Sequence, residues 1–289
     1  MDAGSGVEVD TGQVRVLAAA DLTSVVQLLQ QQPVENAFVA SRIRGGGLEQ
    51  FTLGCPVWGY ENHDGLIALC HAGANLVPVG ADEPHVLDAF AEFAGPTRMS
   101  SSIFGPATAT LGLWHRLSER WGSQWTGPRE VRPHQPLLAL TGEPRVPAHP
   151  LVQRITFDHW DSYFDAAVRM YTEEVGVSPL KDGSAGYRFY VRQLITSGRA
   201  FGLVQNGTVL FKADLGSVAG GVSQVQGVWL DPSVRGRRLA PTCMAAVVQQ
   251  AQQTTPTVSL YVNDFNAPAL ATYRRVGFEQ VGEFATILF

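Results

Sequence analysis

The sequence predicts an α/β fold of two tandem domains, and three observations carry that prediction. The order of strand-like and helix-like segments in residues 151–289 recurs in residues 1–140. Turn-forming pairs, Asn206-Gly207 and Gly220-Gly221, separate runs of β-branched and aromatic residues. Between the halves, TGEPRVPAHP (141–150) carries three prolines and a glycine, which break helix and strand alike and mark a linker.

In the second half a short strand at Val152 to Ile155 precedes a helix that Asp158 can cap, with Trp160, Phe164, Val168 and Tyr171 on one face and Gly176 past its end. A second helix, with Tyr187, Tyr190, Val191, Leu194 and Ile195 as its apolar stripe, stops at Gly198. Strands follow through Phe201 and Val204, from Thr208 to Leu215, and from Val222 to Leu230, joined by the two turns. Then come a helix to about Gln253, a strand at Val258 to Val262, a helix capped by Asn266, and two short strands. The first half gives nearly the same order: a strand at Val14 to Leu17, helices near Leu22 to Leu29 and Val34 to Arg42, and strands around Trp58, Ile67 and Leu76. Helix Val86 to Phe93, strand Ser101 to Phe104, helix Ala107 to Trp121 and strands near Val131 and Leu137 to Leu140 complete it.

The 289 residues are 45% hydrophobic and 16% charged, with a formal charge of −5, which excludes a disordered or fibrous chain. Mild acidity provides no electrostatic footprint for nucleic acid or an anionic membrane, so neither is expected as a partner. Cys55, Cys70 and Cys243 show no CxxC pattern and fit a reducing compartment, and the seven histidines show no ligand spacing, so no metal is expected. The start, MDAGSGVEVDTGQ, lacks a secretory pattern and no apolar run is long enough to span a bilayer; a cytoplasmic location follows as the expectation.

Against this acidic background DPSVRGRRLAP (231–241) sets three arginines between a strand and a helix. The first N–H groups of a helix lack internal acceptors, and the macrodipole adds about half a positive charge there, so such a loop suits a pyrophosphate. Gly236 permits close approach, and Arg235, Arg237 and Arg238 supply positive charge. By itself the same stretch reads equally well as a solvated loop.

Together with NDFNAPALATYRRVGF (263–278), VWLDPSVRGRRLA resembles the acetyl-CoA site of the GNAT superfamily of N-acetyltransferases. That family's phosphate loop reads Arg/Gln-x-x-Gly-x-Gly/Ala; Arg235 matches its first position and Ala240 its last, whereas Arg238 replaces the central glycine. Asn266, Ala269, Tyr273 and Gly277-Phe278 match the second motif. The resemblance covers residues 151–289, and the whole chain is similar to a bacterial subgroup in which an N-terminal domain of unknown function precedes the transferase domain.

The resemblance implies two GNAT-like domains, each a mixed, mostly antiparallel sheet flanked by helices: 1–140 degenerate, 141–150 the linker, 151–289 the acetyltransferase domain. It implies acetyl-CoA as acyl donor and an amine acceptor, on a small molecule or a protein, attacking the thioester directly. Val228, Trp229 and Leu230 would present backbone groups to pantetheine. Arg235, Gly236, Arg237, Arg238, Leu239 and Ala240 would hold the diphosphate, with Asn266 and Tyr273 completing the coenzyme site. Tyr273, protonated at neutral pH, would return a proton to the leaving thiolate. No carboxylate stands in Val222 to Leu230, so Asp214, Glu173 and Glu174 are the candidates for the general base, with water as the alternative. Cys243, at helical spacing with Leu239 and Val247, reads as packed rather than nucleophilic. The first half places acidic VPVGADEPH where a phosphate loop would stand, and SIFGPATATLGLWHRLSERWG sets Trp114 near the tyrosine position; this half reads as a degenerate copy that shapes the acceptor cleft or serves packing alone. A non-catalytic acyl-CoA-binding module is the competing reading. A tandem transferase for a small aminothiol or amino sugar is a third.

Overall fold

The computed structural model describes residues 12–181 and 183–289. Met1 to Thr11, most of the start that carries no secretory pattern, and Asp182 lie outside them. In chain order the elements are β1 (Gln13–Val16), α1 (Leu22–Gln31), α2 (Ala37–Gly46), α3 (Gln50–Leu53), β2 (Val57–Asn62), β3 (Gly65–Ala72), β4 (Asn75–Val79), α4 (Pro84–Ala94), β5 (Ser102–Pro106), α5 (Ala107–Trp121), β6 (Glu130–Thr141), β7 (Val152–Arg154), α6 (Trp160–Val175), α7 (Ala185–Thr196), β8 (Ala200–Gln205), β9 (Thr208–Ala219), β10 (Val222–Leu230), α8 (Leu239–Gln252), β11 (Thr257–Tyr261), α9 (Ala267–Val276) and β12 (Glu279–Leu288).

These elements form two compact units. The first takes the chain through Gln32, Arg42–Gln135 and Glu283–Phe289; the second takes Pro33–Ser41 and Pro136–Gly282. The expected division at 141–150 differs from this one. Leu137 to Thr141 of β6 pair antiparallel with Tyr261 to Thr257 of β11 in the second unit, while Phe284 to Leu288 of β12 pair antiparallel with Pro106 to Ser102 of β5 in the first. Each unit's last strand therefore comes from the other half of the chain.

With those strands included, the strands of the two units follow the same order. In the first, β1 to β4 form an antiparallel meander, β4 runs parallel to β5, and β5 is antiparallel to β12. In the second, β7 to β10 form the meander, β10 runs parallel to β11, and β11 is antiparallel to β6. The expected mixed, mostly antiparallel sheet with flanking helices is present twice.

The hairpins form as the turn residues require: Asn206 and Gly207 have φ of 50° and 76°, Gly220 and Gly221 have 58° and 77°. Three local expectations are corrected. Asp158 lies inside a 3₁₀ turn, Phe157–His159, and accepts a bond from Thr156 rather than capping α6. The segments near Val131 and Leu137 are one strand, β6, and the two short closing strands are one, β12. α2 begins at Ala37, not Val34.

In the second unit α8 is the central helix. Met244 to Val248 are all buried, against Phe201, Phe211, Val258 and Leu260 of the sheet below. The opposite face carries α6 and α7, where Tyr163, Ala166, Ala167, Val191, Leu194 and Ile195 pack around Trp229. Full burial of one such side chain contributes ~1.5–3 kcal/mol, so the two layers hold the sheet firmly from both sides. In the first unit α4 and α5 do the same work, with Phe90, Leu113, Leu117 and Trp125 buried on Ile103 and Tyr60.

A candidate coenzyme site on the second unit

β10 and β11 are hydrogen-bonded neighbours only at Val222/Thr257, Ser223/Val258 and Gln224/Ser259. Beyond Gln224 they part, and among the described residues no strand lies beside the edge of Val225 to Leu230 that faces β11. On its other edge β10 keeps contact with β9, but the register jumps between Gln226/Asp214 and Trp229/Lys212. Gly227 sits in this bulge with φ of 57°, and a Cβ there would lie 3.0 Å from both Asp214 Oδ2 and Lys212 Nζ. Only glycine fits the backbone and the space.

The cause of the bulge is buried beneath it. Lys212 Nζ, on a side chain 0% exposed, donates to Asp214 Oδ2 at 2.7 Å and to the Gly227 carbonyl at 2.8 Å. Tyr163 Oη donates to Asp214 Oδ1. Burial, then the neighbouring Asp214 charge, holds the Tyr163 phenol far above its usual titration range. Sequence reasoning missed Lys212, Tyr163 and Gly227. The signal was present in TVLFKADLG, where one of only two lysines interrupts an apolar strand two residues before an aspartate, the spacing that puts both on one face.

The loop after β10 turns on Asp231, whose Oδ1 accepts from Ser233 N at 2.9 Å and Ser233 Oγ at 2.6 Å. Gly236 has φ of 77°, and Arg238, the residue before α8, has φ of 60° and ψ of 24°. This left-handed backbone is where the resembling motif carries glycine. The amides of Gly236, Arg237, Arg238, Leu239 and Ala240 make no hydrogen bond to any described residue, and Pro241 has no N–H to satisfy. Five consecutive donors without a described partner thus stand at the positive end of a 14-residue helix.

Arg237 and Arg238 are exposed and make no ion pair with a described residue. Arg235 turns away from the loop instead: its Nε donates to Leu230 O at 2.9 Å and its Nη2 to Glu173 Oε2 at 2.7 Å. Glu173 Oε1 also accepts from Trp229 Nε1 at 3.1 Å. Val228 and Leu230 are half-buried and pack with the α8 core, to which Leu239 and Ala269 also belong.

Asn266 caps α9 through its Oδ1, which accepts from Ala269 N at 3.2 Å, and Gly277 ends the helix with φ of 114°. Tyr273 is buried, edge-on to Phe278 at 5.9 Å, and its hydroxyl makes no hydrogen bond to a described residue. Burial, with a lesser contribution from Glu174, raises its titration well above the ordinary phenol value. Cys243 is fully buried and its thiol is pushed up to about 12 by burial, which removes it as a nucleophile.

The expected base candidates separate. Asp214 is buried and accepts from two buried donors, while Glu173 is exposed and accepts from Arg235 and Trp229. The first unit has the same splay, with β4 and β5 paired only at Asn75/Ser102 and Leu76/Ile103, but α4 opens on Glu83 and Pro84, directly after Asp82. Carboxylates stand there where a diphosphate would need positive charge.

Comparison with known proteins agrees with this geometry. Residues 154–278 match the acetyltransferase (GNAT) family and residues 55–163 match a domain of unknown function, DUF4081. A mycothiol acetyltransferase of Brachybacterium faecium is 43% identical over 61 residues, which are 21% of this chain and 18% of that protein. Among solved structures, a GNAT-family acetyltransferase of Colwellia psychrerythraea superposes with a TM-score of 0.57 at 12% identity over 96% of this chain and 99% of its own. A GCN5-related N-acetyltransferase of Sphaerobacter thermophilus gives 0.57 at 16% identity, over 96% and 95%. No described helix is long and apolar enough to cross a membrane. The strand splay, the unpaired amides and the motif-bearing helices accordingly belong to a GNAT-family domain, joined in one chain to a DUF4081 domain that precedes it.

Proposed function

We propose that the chain is a cytoplasmic acetyl-CoA-dependent N-acetyltransferase that moves an acetyl group to a primary amine by direct attack. The observation that carries this reading is the set of five unpaired amides, Gly236 to Ala240, beside the free edge of β10. The diphosphate docks on the amides with Arg237 and Arg238 adding charge, and pantetheine lies along Val228 to Leu230 as an added strand. The amine nitrogen attacks the thioester carbon, and an N–H of β10 beyond the bulge steadies the tetrahedral oxyanion. Collapse breaks the carbon–sulfur bond, and Tyr273, kept protonated by burial, gives its proton to the leaving thiolate. Water, or one of the carboxylates Asp214, Glu173 and Glu174, takes the amine's proton.

Calorimetry with acetyl-CoA and thiol release with an amine panel test the two halves of this reading. Tyr273→Phe is expected to keep acetyl-CoA affinity within about twofold and to lower kcat about 10²-fold or more, the usual contribution of a positioned acid. Unchanged kcat in that variant removes Tyr273 from the mechanism. A non-catalytic acyl-CoA-binding module is the second reading, favoured by the engagement of Asp214 and Glu173 in internal bonds. Acetyl-CoA binding with no thiol release from any amine decides for it.

A further inference from the structure

An ion pair buried on an apolar strand asks for a role that packing does not supply, because well-packed apolar side chains of similar volume often hold a fold as firmly. Lys212 and Asp214 are such a pair, 0% and 3% exposed on β9. Lys212 Nζ lies 2.7 Å from Asp214 Oδ2 and 5.4 Å from the centre of the Tyr163 ring, and it donates a second bond, 2.8 Å long, to the Gly227 carbonyl of β10. The bulge that brings this carbonyl to the ammonium admits only glycine: Asp214 Oδ2, Lys212 Nζ and Met170 Cε all stand within 3.1 Å of where a Cβ would lie.

The carbonyl that Lys212 holds and the Val228 N–H are two ends of one peptide unit. No described peptide bond is cis, so the unit is planar and trans, and fixing its oxygen fixes the direction of its N–H. The ladder with β9 gives that direction. Asp231 N donates to Leu210 O at 2.8 Å, and Trp229 stands opposite Lys212. Amides alternate along a strand, so the N–H groups of Val228 and Leu230 point to the other edge, the one that parts from β11 after Gln224. A positive charge at the carbonyl also draws electron density from the same unit's N–H, which strengthens it as a donor. Resting on the acetyltransferase reading, we propose that Lys212 is a positioning residue: through the Gly227 carbonyl its ammonium, neutralised by Asp214, orients and polarises the Val228 N–H for the thioester oxygen.

Infrared difference spectroscopy on the full chain, with acetyl-CoA isotopically labelled at the acetyl carbonyl, reads this hydrogen bond directly. In the native chain the carbonyl band is expected below its position in free acetyl-CoA. In Lys212→Met it returns most of the way, with acetyl-CoA affinity held within about twofold and kcat lowered about 10-fold or more, part of what loss of an oxyanion donor costs. Because Lys212→Met leaves Asp214 as a buried unpaired charge and can unfold the chain, Lys212→Met combined with Asp214→Leu serves as the second variant, with no charge left stranded. That double variant is read by the band alone, since Asp214 is also a candidate base. A merely structural lysine would let the band recover together with the melting temperature in the double variant; this result, or a native band in Lys212→Met, overturns the proposal. A band displaced in the native chain and not in the variants, without thiol release from any amine, keeps the positioning role and sinks the transferase reading. Thiol release with equal kcat and equal bands in the native chain and Lys212→Met does the reverse.

Discussion

Arg238 carries the chain's departure from the glycine of the phosphate loop, and its φ of 60° gives that departure a physical meaning. A non-glycine residue there costs ~1–2 kcal/mol, and the guanidinium it brings stands exposed beside five unpaired amides. Arg238→Gly should raise the midpoint of thermal unfolding by a few degrees while weakening acetyl-CoA severalfold at low salt, with the loss shrinking as salt rises. Tighter acetyl-CoA binding in the variant would show that the arginine obstructs the site. Lys212 is the other residue whose identity matters out of proportion. Removing it by Lys212→Met strands Asp214 as a buried charge and releases the Gly227 carbonyl, so a loss of ~3–5 kcal/mol is expected in denaturant unfolding. Lys212→Met combined with Asp214→Leu should recover part of that loss, since no charge is then left buried.

Among the elements, β1 is tied down by a charge cluster rather than by burial. Arg15 donates to both Asp21 oxygens at 2.7 and 2.8 Å and to both Glu61 oxygens at 2.6 and 2.8 Å. The Arg15 hydrogen bonds, aided by the Ala18 amide, hold Asp21 at about 2, against an ordinary 3.8. A carboxylate depressed in the folded state contributes stability that is present above its unfolded value and is lost as the pH falls through the folded one. The chain should therefore lose stability between pH 4 and 2, and Asp21→Asn should flatten that part of a melting-temperature profile while lowering stability at neutral pH. A profile of unchanged slope in the variant would place the acid sensitivity elsewhere. α8 and α9 were both legible as elements because their signals are local: Asn266 with Ala269, Gly277 at positive φ, and a run from Pro241 to Val248 without glycine or charge.

For the whole molecule, the exchanged strands decide how the chain can be cut. A fragment starting at residue 151 keeps both sequence motifs but loses Leu137 to Thr141, leaving β11 with an open edge, and loses Ser41, whose Oγ accepts from Val218 N at 3.2 Å. It is expected to melt at least 10 °C below the intact chain or to aggregate, in circular dichroism and light scattering. A soluble fragment melting with the full chain would show that these strands add little. The duplication was visible in element order, because each half repeats the same turns and periodicities. That the last strand of each set serves the other half was not, because Leu137 to Leu140 and Phe284 to Ile287 carry the same apolar alternation whichever neighbour they pair with.

Local chemistry alone was enough to predict the repeated element order, the strand–loop–helix turn around Gly236, the capped motif helix and the buried character of Cys243. Each depends on residues within a turn or two of one another, where backbone sterics and side-chain reach leave few options. The tertiary structure decided that Asp214 is an internal partner of Lys212 and Tyr163 and that Arg235 faces Glu173. Those outcomes join residues as many as 62 positions apart, and which charges meet across such a distance is settled only when the strands and helices carrying them have packed.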